Sequence, residues 1–173
     1  RNAHSIAAKL QEVRGISGPI DAIVDLAATL HTGALVEQSE SDIEEMVSTN
    51  ILGSIWVARA AFPLLAETKG QLLFFSSSNY LVGRKDQAVY ASTKAAVSNL
   101  TQGLSQEWKD SGVRVNCLAP SRAATLMRIA NFPSGDDQRD LVTPEQVAVK
   151  VELILSARVT GMVFLGSGVP DLY

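Results

Sequence analysis

The chain has 173 residues, with Lys and Arg totalling 15 against 18 Asp and Glu, for a net charge of −3 and an isoelectric point near 5.4. That length suits one domain, and 46% hydrophobic against 19% charged residues supplies a core, which excludes a disordered or fibrous chain. No basic stripe survives the acidic surplus and no apolar run approaches the roughly 18 residues of a membrane span, so neither nucleic acid nor membrane is an expected partner.

In chain order, Ile6, Leu10 and Val13 fall at helical spacing, and Gly15 and Gly18 end that helix before an apolar run, Ala22 to Ala28, that reads as a strand. Ser41 with Glu44 three residues on forms a capping-box signal, which opens a long helix through Ile43, Met46, Val47, Ile51 and Ile55 to about Leu65, with Pro63 in its last turns. Leu72 to Phe75 reads as a second buried strand, followed by a polar loop from Asn79 to Gln87 and a helix from Tyr90 to about Lys109. Val113 to Ala119 is a third strand, Thr143 to about Leu155 a third amphipathic helix, and Gly161 to Leu165 a fourth strand. Asn131 to Asp140, with Pro133, Gly135 and Asp136, reads as a mobile connection and a candidate lid. Alternation of this kind predicts an α/β fold with a parallel sheet covered by helices. The one cysteine, Cys117, lies among apolar neighbours and reads as a buried thiol in a reducing compartment, the cytoplasm. His4 and His31 lie far apart with no carboxylate or cysteine at ligand spacing, so no metal site is expected.

Chemistry in open α/β sheets lies beyond the carboxyl ends of the strands. Four polar residues fall there in order: Asn50 inside the first long helix, Ser77 after the second strand, and Tyr90 and Lys94 opening the next helix. Tyr90 and Lys94 stand four residues apart, one turn, so the ammonium lies close to the phenol. Two unit charges about 5 Å apart at an effective dielectric of about 20 attract by roughly 3 kcal/mol. The helix N-terminus acts in the same direction, so the phenol is expected to drop toward neutrality and to exchange protons with a carbonyl or alcohol oxygen. Such a site lacks a hydride, which a nicotinamide cofactor supplies. Asn50 falls on the apolar side of its helix, where an amide without partners is costly, and so has a task.

These residues resemble the C-terminal two-thirds of a short-chain dehydrogenase/reductase. The likeness spans nearly the whole chain: Asp21-Ala22-Ile23-Val24, Asn50, Ser77, Tyr90-Ala91-Ser92-Thr93-Lys94, Arg114-Val115-Asn116, and Pro120 with Thr125. It implies a Rossmann-like doubly wound parallel sheet and a single partial domain over 1–173. No glycine-rich phosphate loop precedes the first strand, and there is no initiating Met, so a missing or fused N-terminal segment bearing the first nucleotide-binding βαβ unit is expected upstream in a longer protein. The resemblance also implies NADP(H) or NAD(H) as cofactor, Tyr90 as acid/base, Ser77 as orienter of the carbonyl, Lys94 on the nicotinamide ribose, and Asn50 supporting a proton-relay water. Cofactor contacts are implied at Ala27, Ala28, Tyr90, Lys94, Pro120, Ser121 and Thr125.

Within the family, Phe75-Ser76-Ser77-Ser78, Gly83-Arg84 and the run from Pro120 to Arg128 are similar to the reductase domains fused to cytidylyltransferases in bacterial CDP-ribitol synthesis, which reduce ribulose 5-phosphate. That likeness adds Ser77, Asn79, Arg84, Arg122 and Arg128 as substrate contacts. The planar fork of arginine suits phosphate, although loop arginines are also commonly just solvated. The chain departs from the family at Asp25-Leu26-Ala27-Ala28, where Asn-Asn-Ala-Gly is usual, and a buried Asp25 requires hydrogen-bond donors. Ser121 and Leu165-Gly166-Ser167-Gly168 depart as well. The family packs its two long helices against a partner subunit, which implies a homo-oligomer, with Trp56 and Trp108 either there or in the core. A non-catalytic module with an assembly or regulatory role is the alternative to an oxidoreductase of carbonyls and secondary alcohols.

Overall fold

The computed structural model describes residues 3–133 and 141–166. Helix α1 (Ala3–Ser17) leads to strand β1 (Ala22–Asp25), then to α2 (Glu40–Val47), a π-helical segment (Ser48–Leu52), α3 (Gly53–Thr68), β2 (Gln71–Phe75), α4 (Ala88–Glu107), β3 (Arg114–Pro120), α5 (Leu126–Asn131), α6 (Pro144–Ser156) and β4 (Val163–Gly166). The four strands are parallel and stand side by side in chain order. Among the described residues β1 pairs with β2 alone, so its outer edge is open, as the resemblance implied.

Burial on both faces explains why β2 reads as the continuous run Gln71-Leu72-Leu73-Phe74-Phe75. Successive side chains point to opposite faces. Leu72 and Phe74 join Ala58, Ala61 and Leu65 of α3, Val97 of α4, Trp108, and Val115 and Cys117 of β3, while Leu73 and Phe75 meet Leu118 and Val147, Val151 and Ile154 of α6. Helices α3 and α4 therefore cover one face and α6 the other. Leu72 is fully buried, so Leu72→Ala costs about 2–5 kcal/mol in lost contact and cavity. Trp108 belongs to this core and stacks at a tilt on Phe62, with ring centroids 4.8 Å apart, whereas Trp56 is half-buried.

Several boundaries differ from the sequence-based expectation, each for a local reason. The cap that opens α2 is Ser39, not Ser41: its Oγ accepts from Asp42 N at 3.1 Å, and Ser41 Oγ lies 2.9 Å from Ser39 Oγ. Strand β1 stops at Asp25 because Asp25 Oδ1 takes the Ala27 N–H at 3.2 Å and turns the chain. Thr143 does form a reciprocal capping box with Gln146. Helix α3 runs on to Thr68 and ends with Lys69 at φ 53°, and a Cβ on Gly70 would meet the Asp21 carbonyl oxygen at 2.5 Å, which is why a glycine stands there. The helical stretch Glu40–Thr68 reaches a mean hydropathy of 1.2 over an 18-residue window, a third of which is buried, with Ala58, Ala61, Leu64 and Leu65 in the core. Of the expected connection from Asn131 to Asp140, residues 134–140 lie outside the described residues.

Candidate active site

Strand β2 ends at Phe75, and the next two residues form one wall of the site. Ser76 Oγ donates to the Lys94 carbonyl at 2.8 Å, and Ser98 Oγ lies 2.8 Å from Ser76 Oγ and 3.2 Å from the same carbonyl, so the strand end is fastened to one turn of α4. From that turn the Lys94 side chain, 3% exposed, reaches back and donates from Nζ to the Phe75 carbonyl at 2.8 Å. Tyr90, one turn earlier and half-buried, has its ring centroid 5.8 Å from Lys94 Nζ, and the Ser77 hydroxyl acts on its phenol. Ser77, Tyr90 and Lys94 are thus brought together.

The electrostatics correct one expectation. Burial pushes the Tyr90 phenol up to about 12, against a smaller opposite pull from Ser77, so Lys94 does not bring it toward neutrality. Lys94 directs its hydrogen bond to the Phe75 carbonyl instead. Burial pushes Lys94 itself down to about 8, against smaller upward pulls from Cys117 and Asp25. The Cys117 thiol, fully buried as expected, is pushed up to about 11 by the same desolvation. At neutral pH the phenol is protonated and is a proton donor.

Asn50 sits in the π-helical segment, a feature often found at functional sites. Its buried amide donates to the Thr29 carbonyl at 2.9 Å and to Thr93 Oγ1 at 3.0 Å, and its Oδ1 accepts from Thr29 N at 2.8 Å. Thr93 in turn donates to the Tyr90 carbonyl at 2.8 Å. The task of Asn50 is therefore to tie the segment after β1, which contains Ala27 and Ala28, to the turn of α4 that bears Tyr90. Asp25 has the donors it requires: Ser54 Oγ at 2.8 Å as well as Ala27 N.

On the loop after β2, buried Asn79 donates to Gln87 Oε1 at 2.5 Å and accepts from Nε of exposed Arg84 at 2.7 Å. After β3, Ser121 binds the Gly166 carbonyl through both its N–H (3.0 Å) and its hydroxyl (2.9 Å), which ties Pro120 and the strand end to β4. Arg122 is exposed, with its backbone carbonyl accepting from Val142 N at 2.8 Å. Thr125 caps α5, and Arg128 lies 4.5 Å from the Phe132 ring centroid. His31 Nε2 lies 2.8 Å from Glu45 Oε2, a contact between the segment after β1 and α2.

Sequence reasoning overlooked Ser54, Ser76, Thr93 and Ser98. A signal was present: Lys94, Ser98, Thr101 and Ser105 recur at spacings of four and three on one helical face, and all are buried. As for a nicotinamide cofactor, the donor set fits its ribose. An ammonium carries three protons, and among the described residues one of those on Lys94 has a partner, the Phe75 carbonyl, beside the Tyr90 phenol.

A family model described as short chain dehydrogenase matches residues 1–134. The chain is 37% identical over 157 residues to the bifunctional ribulose 5-phosphate reductase/CDP-ribitol pyrophosphorylase Bcs1 of Haemophilus influenzae, covering 91% of this chain and 33% of that protein. It is 30% identical over 153 residues to oxidoreductase UcpA of Escherichia coli K12, covering 86% of this chain and 58% of that one. A solved structure of ElxO with NADP bound superposes with a TM-score of 0.87 at 25% identity, over 96% of this chain and 73% of that one. The chain thus spans about a third to somewhat over half the length of these curated relatives. A matched model over most of its length, on a parallel sheet that gathers Ser77, Tyr90 and Lys94, places this chain in the short-chain dehydrogenase family.

Proposed function

We propose that the chain carries the proton-transferring and substrate-orienting part of an NAD(P)-dependent oxidoreductase that interconverts a carbonyl and a secondary alcohol, with ribulose 5-phosphate reduced to ribitol 5-phosphate. The observation that carries this reading is the buried Lys94 ammonium 5.8 Å from the Tyr90 ring, with Ser77 acting on the same phenol. A bound nicotinamide supplies the hydride. Ser77 holds the carbonyl oxygen, and Tyr90 gives its proton to that oxygen as negative charge develops there. A phenol held near 12 remains protonated until an alkoxide, a far stronger base than a phenolate, demands the proton. Lys94, with Tyr90, holds the ribose, and Ala27, Ala28, Pro120, Ser121 and Thr125 line the cofactor. Asn50 steadies the Tyr90 turn and supports the route by which the phenol regains its proton.

The phosphate assignment draws on Arg84, whose Nε is anchored on Asn79 so that its fork is pre-set for an anion, with Arg122 and Arg128 on the opposite loop. It draws also on the name of the Haemophilus influenzae relative. The test is NADPH consumption by the full-length protein with ribulose 5-phosphate and with its unphosphorylated counterpart. Saturable turnover that prefers the phosphorylated ketose is expected. Absence of saturable NADPH binding would instead identify a non-catalytic module.

A further inference from the structure

Asp25 is the one buried carboxylate among the described residues, and no step above uses it. The sheet register fixes its surroundings. Asp25 pairs with Phe74 and Phe74 with Cys117, so these three side chains form a row on the face covered by α3 and α4. Lys94 descends from α4 onto the Phe75 carbonyl, one residue beyond that row. Both oxygens of Asp25 accept hydrogen bonds, Oδ1 from Ala27 N and Oδ2 from Ser54 Oγ, the pattern suited to an ionised carboxylate. A nearby positive charge stabilises a buried carboxylate beyond what its hydrogen-bond donors supply. Lys94 is the only other buried charged side chain among the described residues.

We propose that Asp25 is a positioning residue, whose carboxylate is the counter-charge that keeps the Lys94 ammonium protonated and seated on the Phe75 carbonyl. The inference rests on the reading of Lys94 as part of the reductase site. The titratable groups around Lys94 are Asp25 from β1, Cys117 from β3 and Tyr90 from its own helix, while Ser54 of α3 and Asn50 of the π-helical segment carry no charge. Burial drives Lys94 down to about 8, against Cys117 and Asp25. The Cys117 thiol stays protonated up to about 11, so where Lys94 titrates the opposing negative charge comes from Asp25. This chain places an aspartate where its family usually has an uncharged asparagine, and so supplies a charge at that point.

The test uses Asp25→Asn in the full-length protein, a change that keeps the shape and an acceptor for the Ala27 N–H. Lys94 loses its proton as pH rises, so kcat/KM falls above about pH 8 in the unmodified protein. In Asp25→Asn that basic limb is expected to move down by about one unit, leaving activity about tenfold lower at alkaline pH and close to normal on the acid side. A loss of equal size at every pH would overturn the proposal. A second readout needs no activity: the fall in denaturation midpoint caused by Asp25→Asn is expected to shrink in a Lys94→Met background, and an unchanged fall would overturn the coupling. Lys94→Met with unaltered kcat and NADPH affinity would sink the reading of the site itself, while the midpoints would still decide whether Asp25 acts through Lys94.

Discussion

At the start of the strands, buried polar side chains bind backbone. Gln71 Nε2 donates to the Ile154 carbonyl at 3.3 Å, Asn116 donates to the Val159 carbonyl at 2.8 Å and accepts from Met162 N at 3.1 Å, and Arg114 donates to the Ala157 carbonyl. At the far end of the same sheet, polar side chains bind one another as well as backbone, and two of them, Asp25 and Lys94, are buried with opposite charge. The first arrangement joins elements through side chain to backbone bonds and leaves little to react. The second retains a protonated phenol and unpaired ammonium hydrogens, which is what proton transfer requires. One sheet thus separates fastening from chemistry by position along its strands.

The sharpest way to break this contrast is Tyr90→Phe. Loss of the proton donor is expected to lower kcat by about 10²–10⁴-fold with an unchanged circular dichroism spectrum, and retained turnover would end the assignment. Next, Arg84→Ala, Arg122→Ala and Arg128→Ala each remove a charge-assisted contact of about 1.5–3 kcal/mol. They are expected to raise KM for the phosphorylated ketose and to spare an unphosphorylated one, as steady-state kinetics on both will show. At the opposite end, Asn116→Ala leaves the Val159 carbonyl and the Met162 N–H without their partner, and is expected to cost about 1–3 kcal/mol in urea denaturation while kcat holds. A fall in kcat at unchanged stability would show that the two ends are not separate. Smallest is Ser39→Ala, which removes the cap of α2 and is expected to cost about 1 kcal/mol by the same measurement.

Much of this was legible in the sequence, because the strongest signals are periodic. The buried run from Leu72 to Phe75 marks a strand, and the four-residue step from Tyr90 to Lys94 marks a helix that holds those two side chains near each other. What the sequence concealed depends on partners distant along the chain. Asn50 stood out as a polar residue on an apolar side, but the π-helical turn around it answers to Thr29 and Thr93, which no helical period reveals. Ser39 displaced Ser41 as the cap because the helix already begins at Glu40, with Ser39 Oγ on the Asp42 N–H, which leaves Ser41 inside the first turn. The phenol misled most: spacing gave the distance to Lys94, but burial, a property of the whole fold, outweighs that charge.

The side-by-side order of the strands bears on how the molecule is assembled during synthesis. Since neighbours in space are successive along the chain, each newly made strand and helix can dock on the unit just before it, closing short loops in turn. Asp25, Asn50, Ser77, Tyr90 and Lys94 all leave the ribosome before β3. The groups of the candidate site are therefore all made while the sheet is still two strands short, and β3 with Cys117 follows to cover the face beneath the lysine.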